Sequence, residues 1–247
     1  MLDKKELDYF HKRQRKTASF WSRLGGKPDL KNAHVLEIGC GYGQLCFDMA
    51  LSGAKKVVGI DINPKCIDFA NECLAMYYPE LRDRIAFLNT DLMNCKDQDC
   101  FDYVISEDAF EHIMNLEEEL ERMYKALKVK GKLYTGFGPL YRSPYGGHRR
   151  MKMPIPWGHL ILPESVLIKW VSMRRKEKIN SIHDLGLNKM SLAAYKKLSN
   201  KTEWTIKYFK VNHGDRLMSK IFSWISKIPF MEEYFSHDLY FVLRKDY

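Results

Sequence analysis

Val35-Leu-Glu-Ile-Gly-Cys-Gly-Tyr-Gly43 is the stretch on which the reading of this chain turns. His34–Ile38 is a short apolar run of strand length. Glycines at 39, 41 and 43 let the backbone turn sharply out of that strand, and they leave room for a ligand to approach without a Cβ in the way. A dinucleotide fingerprint would need glycine at 44, where the sequence has Gln44. Glu37, inside the strand, is equally odd for a dinucleotide site. A buried carboxylate there needs partners, which the amides of the turn or a cationic ligand can supply.

Outward from this turn the pattern alternates. A helical stretch from about 44 to 52 leads to the apolar run Lys56–Ile60, which ends at Asp61. Helix Pro64–Tyr77 follows, with proline in its first turn, where a missing N–H does no harm. Ile85–Leu88, Tyr103–Ile105 and Lys132–Phe137 read as further strands, and Leu116–Leu127 as a helix whose acidic start complements the helix dipole. Short apolar runs alternating with helices predict a parallel sheet covered on both faces. Residues 3–24 read as one amphipathic helix ended by Gly25-Gly26. Residues 138–163 hold five of the nine prolines and four glycines, the densest cluster of breakers in the chain. Helical patterns at 164–176, 191–198 and 216–228 then accompany strands Trp204–Val211 and Leu239–Arg244.

The expected architecture is a single α/β domain over residues 1–247, with a Rossmann-like seven-stranded sheet flanked by helices and an antiparallel terminal strand. Its parts are an N-terminal helix (1–32), a cofactor-binding half (33–137), a lid-like insertion after the fifth strand (138–185), and C-terminal helices with the last two strands (186–247).

Composition narrows the classes. No run of eighteen apolar residues is present, and the first twenty residues are charged throughout, so neither a spanning helix nor a signal peptide is expected. The six cysteines form no C-x-x-C pair and read as reduced thiols of a cytoplasmic protein. Net charge is +9, but residues 1–140 carry 20 basic and 22 acidic side chains, whereas residues 141–247 carry 20 and 9. The positive excess therefore belongs to the C-terminal part.

Asp61 ends the second strand, where an acidic residue can accept hydrogen bonds from both hydroxyls of a ribose. Asp91 follows the third strand. With Glu37-x-Gly39-x-Gly41-x-Gly43, Asp61 after Val57-Val-Gly-Ile, Asn89-Thr-Asp91, the run Phe101-Asp-Tyr-Val-Ile-Ser-Glu-Asp108 and Leu127-Lys-Val-Lys-Gly-Lys-Leu-Tyr134, the sequence resembles the class I S-adenosylmethionine-dependent methyltransferases over about residues 33–137. The resemblance implies S-adenosylmethionine as cofactor. It implies a cofactor site built from Glu37, Gly39, Cys40, Gly41, Gly43, Asp61, Ile62, Asp91, Leu92, Ser106 and Glu107. Glu37 would orient the amino group, Asp61 would hold the ribose, and Asp91 with Leu92 would meet the adenine. Methyl transfer from a sulfonium asks the protein mainly for alignment and, for a hydroxyl acceptor, for help with deprotonation.

The acceptor is less legible. The Asn/Asp-Pro-Pro-aromatic motif of base N-methylation is absent after the fourth strand. Asp108-x-x-Glu111-His112 stands there instead, at a spacing that would put three ligands on one face of a helical turn. It resembles the Glu-x-x-Glu-His motif of ubiquinone-biosynthesis O-methyltransferases and small-RNA 2′-O-methyltransferases, which use a divalent metal. Asp108 replaces the first glutamate of that motif, so metal binding by Asp108, Glu111 and His112 is not the favoured reading. Asp108, His148 and His159 are the expected catalytic residues, the histidines as candidate general bases. Tyr141, Arg142, Tyr145 and Trp157 are expected around the acceptor. The favoured activity is O-methylation of a small molecule such as a glycan, a quinone-like compound or another secondary metabolite. An RNA methyltransferase and a catalytically silent binding module are the alternatives, and nucleic acid is not the favoured partner. The apolar stripe Leu217, Ile221, Trp224, Ile225 and Ile228, flanked by Lys220 and Lys227, reads as packing on the sheet, as a cover over a greasy acceptor, or as a peripheral membrane contact.

Overall fold

Strands β1 (His34–Ile38), β2 (Lys56–Asp61), β3 (Ile85–Asn89), β4 (Phe101–Glu107), β5 (Leu127–Phe137), β6 (Trp204–Val211) and β7 (Leu239–Lys245) form one sheet in the order β3-β2-β1-β4-β5-β7-β6. A computed structural model describes residues 3–92, 98–151, 153–201, 203–213 and 217–247. Cys95 and Arg216 of the sequence reading lie outside the described residues. β1 to β5 are all parallel, and β7 is antiparallel to both β5 and β6. Only β7 is reversed, so its first residue, Leu239, lies beside Phe137 at the far end of β5. β1 has β2 on one side and β4 on the other, and the chain order reverses there. A crevice opens at such a switch point, outside the carboxyl ends of the strands.

The inner strands β1, β2 and β7 are largely buried on both faces, and successive residues point to opposite sides. Val35 and Val57 pack with the first helices, α1 (Lys4–Gln14), α2 (Thr17–Arg23), α3 (Gln44–Leu51) and α4 (Pro64–Tyr77). Leu36 and Val58 face the other layer, with α5 (Leu116–Ala126) and Tyr195. The N-terminal helix expected over residues 3–24 is two helices. Lys16 breaks it, the Thr17 hydroxyl bonds back to the Gln14 carbonyl, and the turn lets Phe10 and Trp21 both reach the core on different headings. β5 begins at Leu127 rather than 132, because the chain leaves α5 directly into pairing with Phe101 across a bulge.

After β5 the chain forms three helices, α6 (His148–Met151), α7 (Gly158–Ile161) and α8 (Glu164–Arg175). These and the residues after them bury a small core of their own, including Met151, Leu167, Val171, Ile182 and Leu185. α9 (Leu192–Ser199) precedes β6. Between β6 and β7 lie α10 (Leu217–Ile225) and α11 (Glu232–Phe235), where the sequence pattern suggested one helix to residue 228. Pro229 follows the end of α10, as expected for a residue that cannot continue a helix.

Candidate active site

Two cavities meet at Gly39, where β1 ends. The first, about 350 Å³, is lined by Glu37, Gly39, Cys40, Gly41, Tyr9, Arg13, Glu107 and Asp108. The second, about 530 Å³, is lined by Gly39, Asp61, Ile62, Asp91, Leu92, Asp108, Ala109 and Ile113. The glycine turn between them needs its residues. Gly39, Gly41 and Gly43 have φ of 72°, 53° and 81°. A Cβ on Gly43 would stand 2.5 Å from the Phe87 ring. The turn is pinned to β2, because Gly39 and Cys40 donate their N–H groups to the Ile60 carbonyl at 2.9 and 3.0 Å. Gly41 donates to Asp61 Oδ2 at 2.9 Å, while Asp61 Oδ1 accepts from Asn63.

Glu37 is buried, and the backbone amides of the turn are spent elsewhere. Its carboxyl accepts a hydrogen bond from the Cys46 thiol at 2.9 Å. Burial pushes its pKa up to about 8, with the thiol opposing that rise. A carboxylate so placed favours a cationic ligand group in the cavity it lines. Arg13, on α1, closes the cavity from above and pairs with Glu107 at 2.8 Å and Asp108 at 2.7 Å. Burial raises Glu107, and Arg13 counteracts that rise. Ile62, fully apolar yet 79% exposed, offers a flat apolar surface beside Asp61, and buried Leu92 closes the floor of the same cavity. Ser106 does not line either cavity. It is fully buried and donates to the Ile38 carbonyl at 3.1 Å, tying β4 to β1.

A third cavity, about 550 Å³, shares Arg13, Glu107 and Asp108 with the first and extends over the ends of β5 and β7. Lys16, Arg23, Gly138, Tyr145, Phe222 and His237 line it. Asp108 therefore faces all three spaces, with a left-handed backbone (φ 54°) that aims its carboxylate at Arg13. That placement separates it from the other members of its motif. Residues 110–112 form a 3₁₀ turn, and Glu111, His112 and His148 come together instead, their ligand atoms within 4.8 Å of one another. Glu111 is buried, its Oε2 has no hydrogen-bond partner, and burial lifts its pKa to about 8. His112 Nδ1 contacts the Gly186 carbonyl at 2.6 Å, and Arg150 lies 3.4 Å from its Nε2. His148 is held neutral by burial and by neighbouring His112 and Arg150, its pKa lowered to about 4. The donor set is suited to a divalent ion, but Arg150 already brings a positive charge beside it.

His159 is buried, and its Nε2 bonds to the Tyr141 carbonyl at 2.6 Å; it lines none of the three cavities. His237, which the sequence does not single out, does line the third cavity. Its backbone is fixed at both ends, with N–H donated to Asn212 Oδ1 at 2.6 Å and carbonyl accepting from Leu140 at 2.8 Å. Its Nδ1 is 3.4 Å from Ser143 Oγ. The missing signal was topological, since an antiparallel last strand starts at the edge where parallel strands end. Arg13 and Tyr9 were likewise passed over, because an amphipathic helix does not announce which neighbour its polar face meets.

Residues 29–137 match the family model of a methyltransferase domain. The ubiquinone biosynthesis O-methyltransferase of Mus musculus mitochondria is 34% identical over 111 residues, 44% of this chain and 29% of that protein. Phosphoethanolamine N-methyltransferase 2 of Caenorhabditis elegans is 36% identical over 109 residues, 43% of this chain and 24% of that protein. This chain thus spans about a quarter to a third of the length of these relatives. An S-adenosylmethionine-dependent methyltransferase from Mesorhizobium loti superposes with a TM-score of 0.60 at 16% identity, covering 94% of this chain and 100% of that one. Geranyl diphosphate C-methyltransferase from Streptomyces coelicolor, solved with S-adenosylhomocysteine, gives 0.60 at 15% identity, covering 96% and 79%.

Proposed function

We propose that this chain, whose residues 29–137 belong to the methyltransferase-domain family and whose sheet has the class I S-adenosylmethionine-dependent fold, moves a methyl group from S-adenosylmethionine to an oxygen of a small-molecule acceptor. The observation that carries the reading is Glu37, a buried carboxylate with a single thiol partner, facing a cavity across a three-glycine turn from Asp61. That cavity suits an ammonium group, and Arg13 above it suits a carboxylate. Asp61 has lone pairs left for ribose hydroxyls after its two backbone bonds. Ile62 and Leu92 would enclose a flat base whose edge meets Asp91.

The bound cofactor supplies an electrophilic methyl on a positively charged sulfur. Asp108, which borders all three cavities, and Glu107, which borders two, would lie near that charge. The acceptor occupies the third cavity, and His237 takes its hydroxyl proton as the new carbon–oxygen bond forms. His148 and His159, the candidate bases from sequence, have roles better suited to holding the segment over the site. A second reading follows from the Glu111–His112–His148 cluster, which would hold a divalent ion and lower the pKa of an acceptor hydroxyl. Arg150 beside His112 favours the reading without metal.

RNA is the less favoured acceptor, because six basic residues of the C-terminal part, Arg175, Lys189, Lys196, Lys201, Arg244 and Lys245, are held in separate ion pairs with carboxylates. Reduced thiols are consistent with a cytoplasmic site of action. The test is calorimetric titration with S-adenosylhomocysteine, followed by methyl transfer to a metabolite panel with and without excess chelator. Binding with a one-to-one stoichiometry and turnover that survives chelation are expected. Loss of turnover restored by a divalent ion would replace the metal-free reading, and absence of binding would remove the methyltransferase reading.

A further inference from the structure

α10 has two unlike faces. Met218, Ser219 and Phe222 line the acceptor-side cavity, and the Phe222 ring lies 5.6 Å from Phe235 and 6.4 Å from His237. The opposite face carries Leu217, Ile221 and Trp224, spaced so that they share one side of the helix, and Ile228 and Phe230 continue it through the turn. Packing on the protein does not explain these residues. No residue of α10 is fully buried, Leu217 and Trp224 are about 70% exposed, and Phe230 is 92% exposed. Apolar surface continues through Met231 to Ile161 on α7, across a shallow depression.

The charged side chains within the stretch itself are basic. Residues 217–231 contain Lys220 and Lys227, both exposed, and no aspartate or glutamate. The nearest carboxylates after it are engaged, Glu232 with Lys196 and Glu233 with the first amides of α9. An exposed apolar stripe with a tryptophan, bordered by lysines and with no carboxylate between residues 217 and 231, complements the interface of an anionic bilayer. No helix among the described residues is long and apolar enough to cross a membrane, so contact at the surface is the mode this geometry allows.

We propose that the outer face of α10, with the turn through Phe230, seats on an anionic lipid surface. The same helix walls the acceptor cavity, so docking brings the cavity mouth to the bilayer and points to a membrane-resident amphiphile as acceptor; this last step rests on the methyltransferase reading. The experiment is co-sedimentation of the full chain with phosphatidylcholine vesicles, with and without 30 mol% phosphatidylglycerol, at low and high salt. Leu217→Ser/Trp224→Ser/Phe230→Ser and Lys220→Glu/Lys227→Glu variants are compared after thermal melting has shown that they fold. Wild type should partition onto the anionic vesicles at least tenfold more strongly than onto neutral ones, and either variant should lose at least tenfold. Equal sedimentation of wild type and variants, or none by wild type, would overturn the proposal. So would a dimer in light scattering that the serine variant alone dissolves, with no vesicle binding, since a second copy would then cover this face. Titration with S-adenosylhomocysteine on the same samples separates the two failures: binding without vesicle association sinks only the membrane proposal.

Discussion

Replacing Glu37 with glutamine isolates the residue on which the site's electrostatics rest. Its carboxyl titrates near 4.5 in an unfolded chain and at about 8 in the folded one, because burial penalises the charged form. The folded pKa lies above the unfolded one, so the folded protein holds an extra proton between these values. Stability is highest below pH 4.5 with respect to this group, and it falls as pH rises toward 8. Between pH 5.5 and 8.5 that loss amounts to about 3 kcal/mol by linkage. Glutamine keeps the shape and cannot ionise, so Glu37→Gln should remove this pH dependence. Urea unfolding of both proteins without ligand at the two pH values gives the double difference, in which every other titrating group cancels to first order. The variant should gain about 3 kcal/mol on the wild type from the lower to the higher pH. The same change should weaken S-adenosylhomocysteine, whose ammonium has lost its partner. A double difference below about 0.5 kcal/mol would refute the assignment of a costly buried charge to this position.

Gly43→Ala forces a side chain into positive φ and against the Phe87 ring, and should cost about 2–5 kcal/mol in thermal or urea unfolding. His148, with its pKa lowered to about 4, contributes stability that is present above its ordinary 6.5 and is lost as pH falls from there toward 4. His148→Gln should therefore lessen the loss between pH 7 and 5 by up to about 2 kcal/mol, read from melting curves at the two pH values. His237→Gln should lower turnover about a hundredfold on the acceptor found by the metabolite panel while leaving cofactor affinity unchanged. A larger loss for His148→Gln than for His237→Gln would return the base to the segment after β5.

The meeting of Glu37, the glycine turn and Asp61 was legible because it is local. Glu37, the glycine turn and Asp61 lie within one strand-turn-helix-strand unit, and their spacing alone places them around Gly39. Ser106 was misjudged for a related reason. Alternation puts Glu107 toward the cavities and Ser106 behind them, and the sequence does not say which of two neighbours faces forward. The third cavity depends on long-range contacts instead. Arg13 meets Asp108 across 95 positions, and His237 meets Ser143 across 94. Glu111 and His112 do come together, with His148 rather than Asp108 as the third group, because a positive φ at Asp108 turns its carboxylate toward Arg13. The net charge of +9 predicted nothing about reaction chemistry, because its excess lies in residues 141–247, away from the glycine turn.

A crystal structure with S-adenosylhomocysteine should show the amino-acid end between Glu37 and Arg13, the ribose on Asp61, the adenine against Ile62, and the sulfur beside Asp108. A ligand bound elsewhere, or a site that stays empty at millimolar concentration, would contradict this placement.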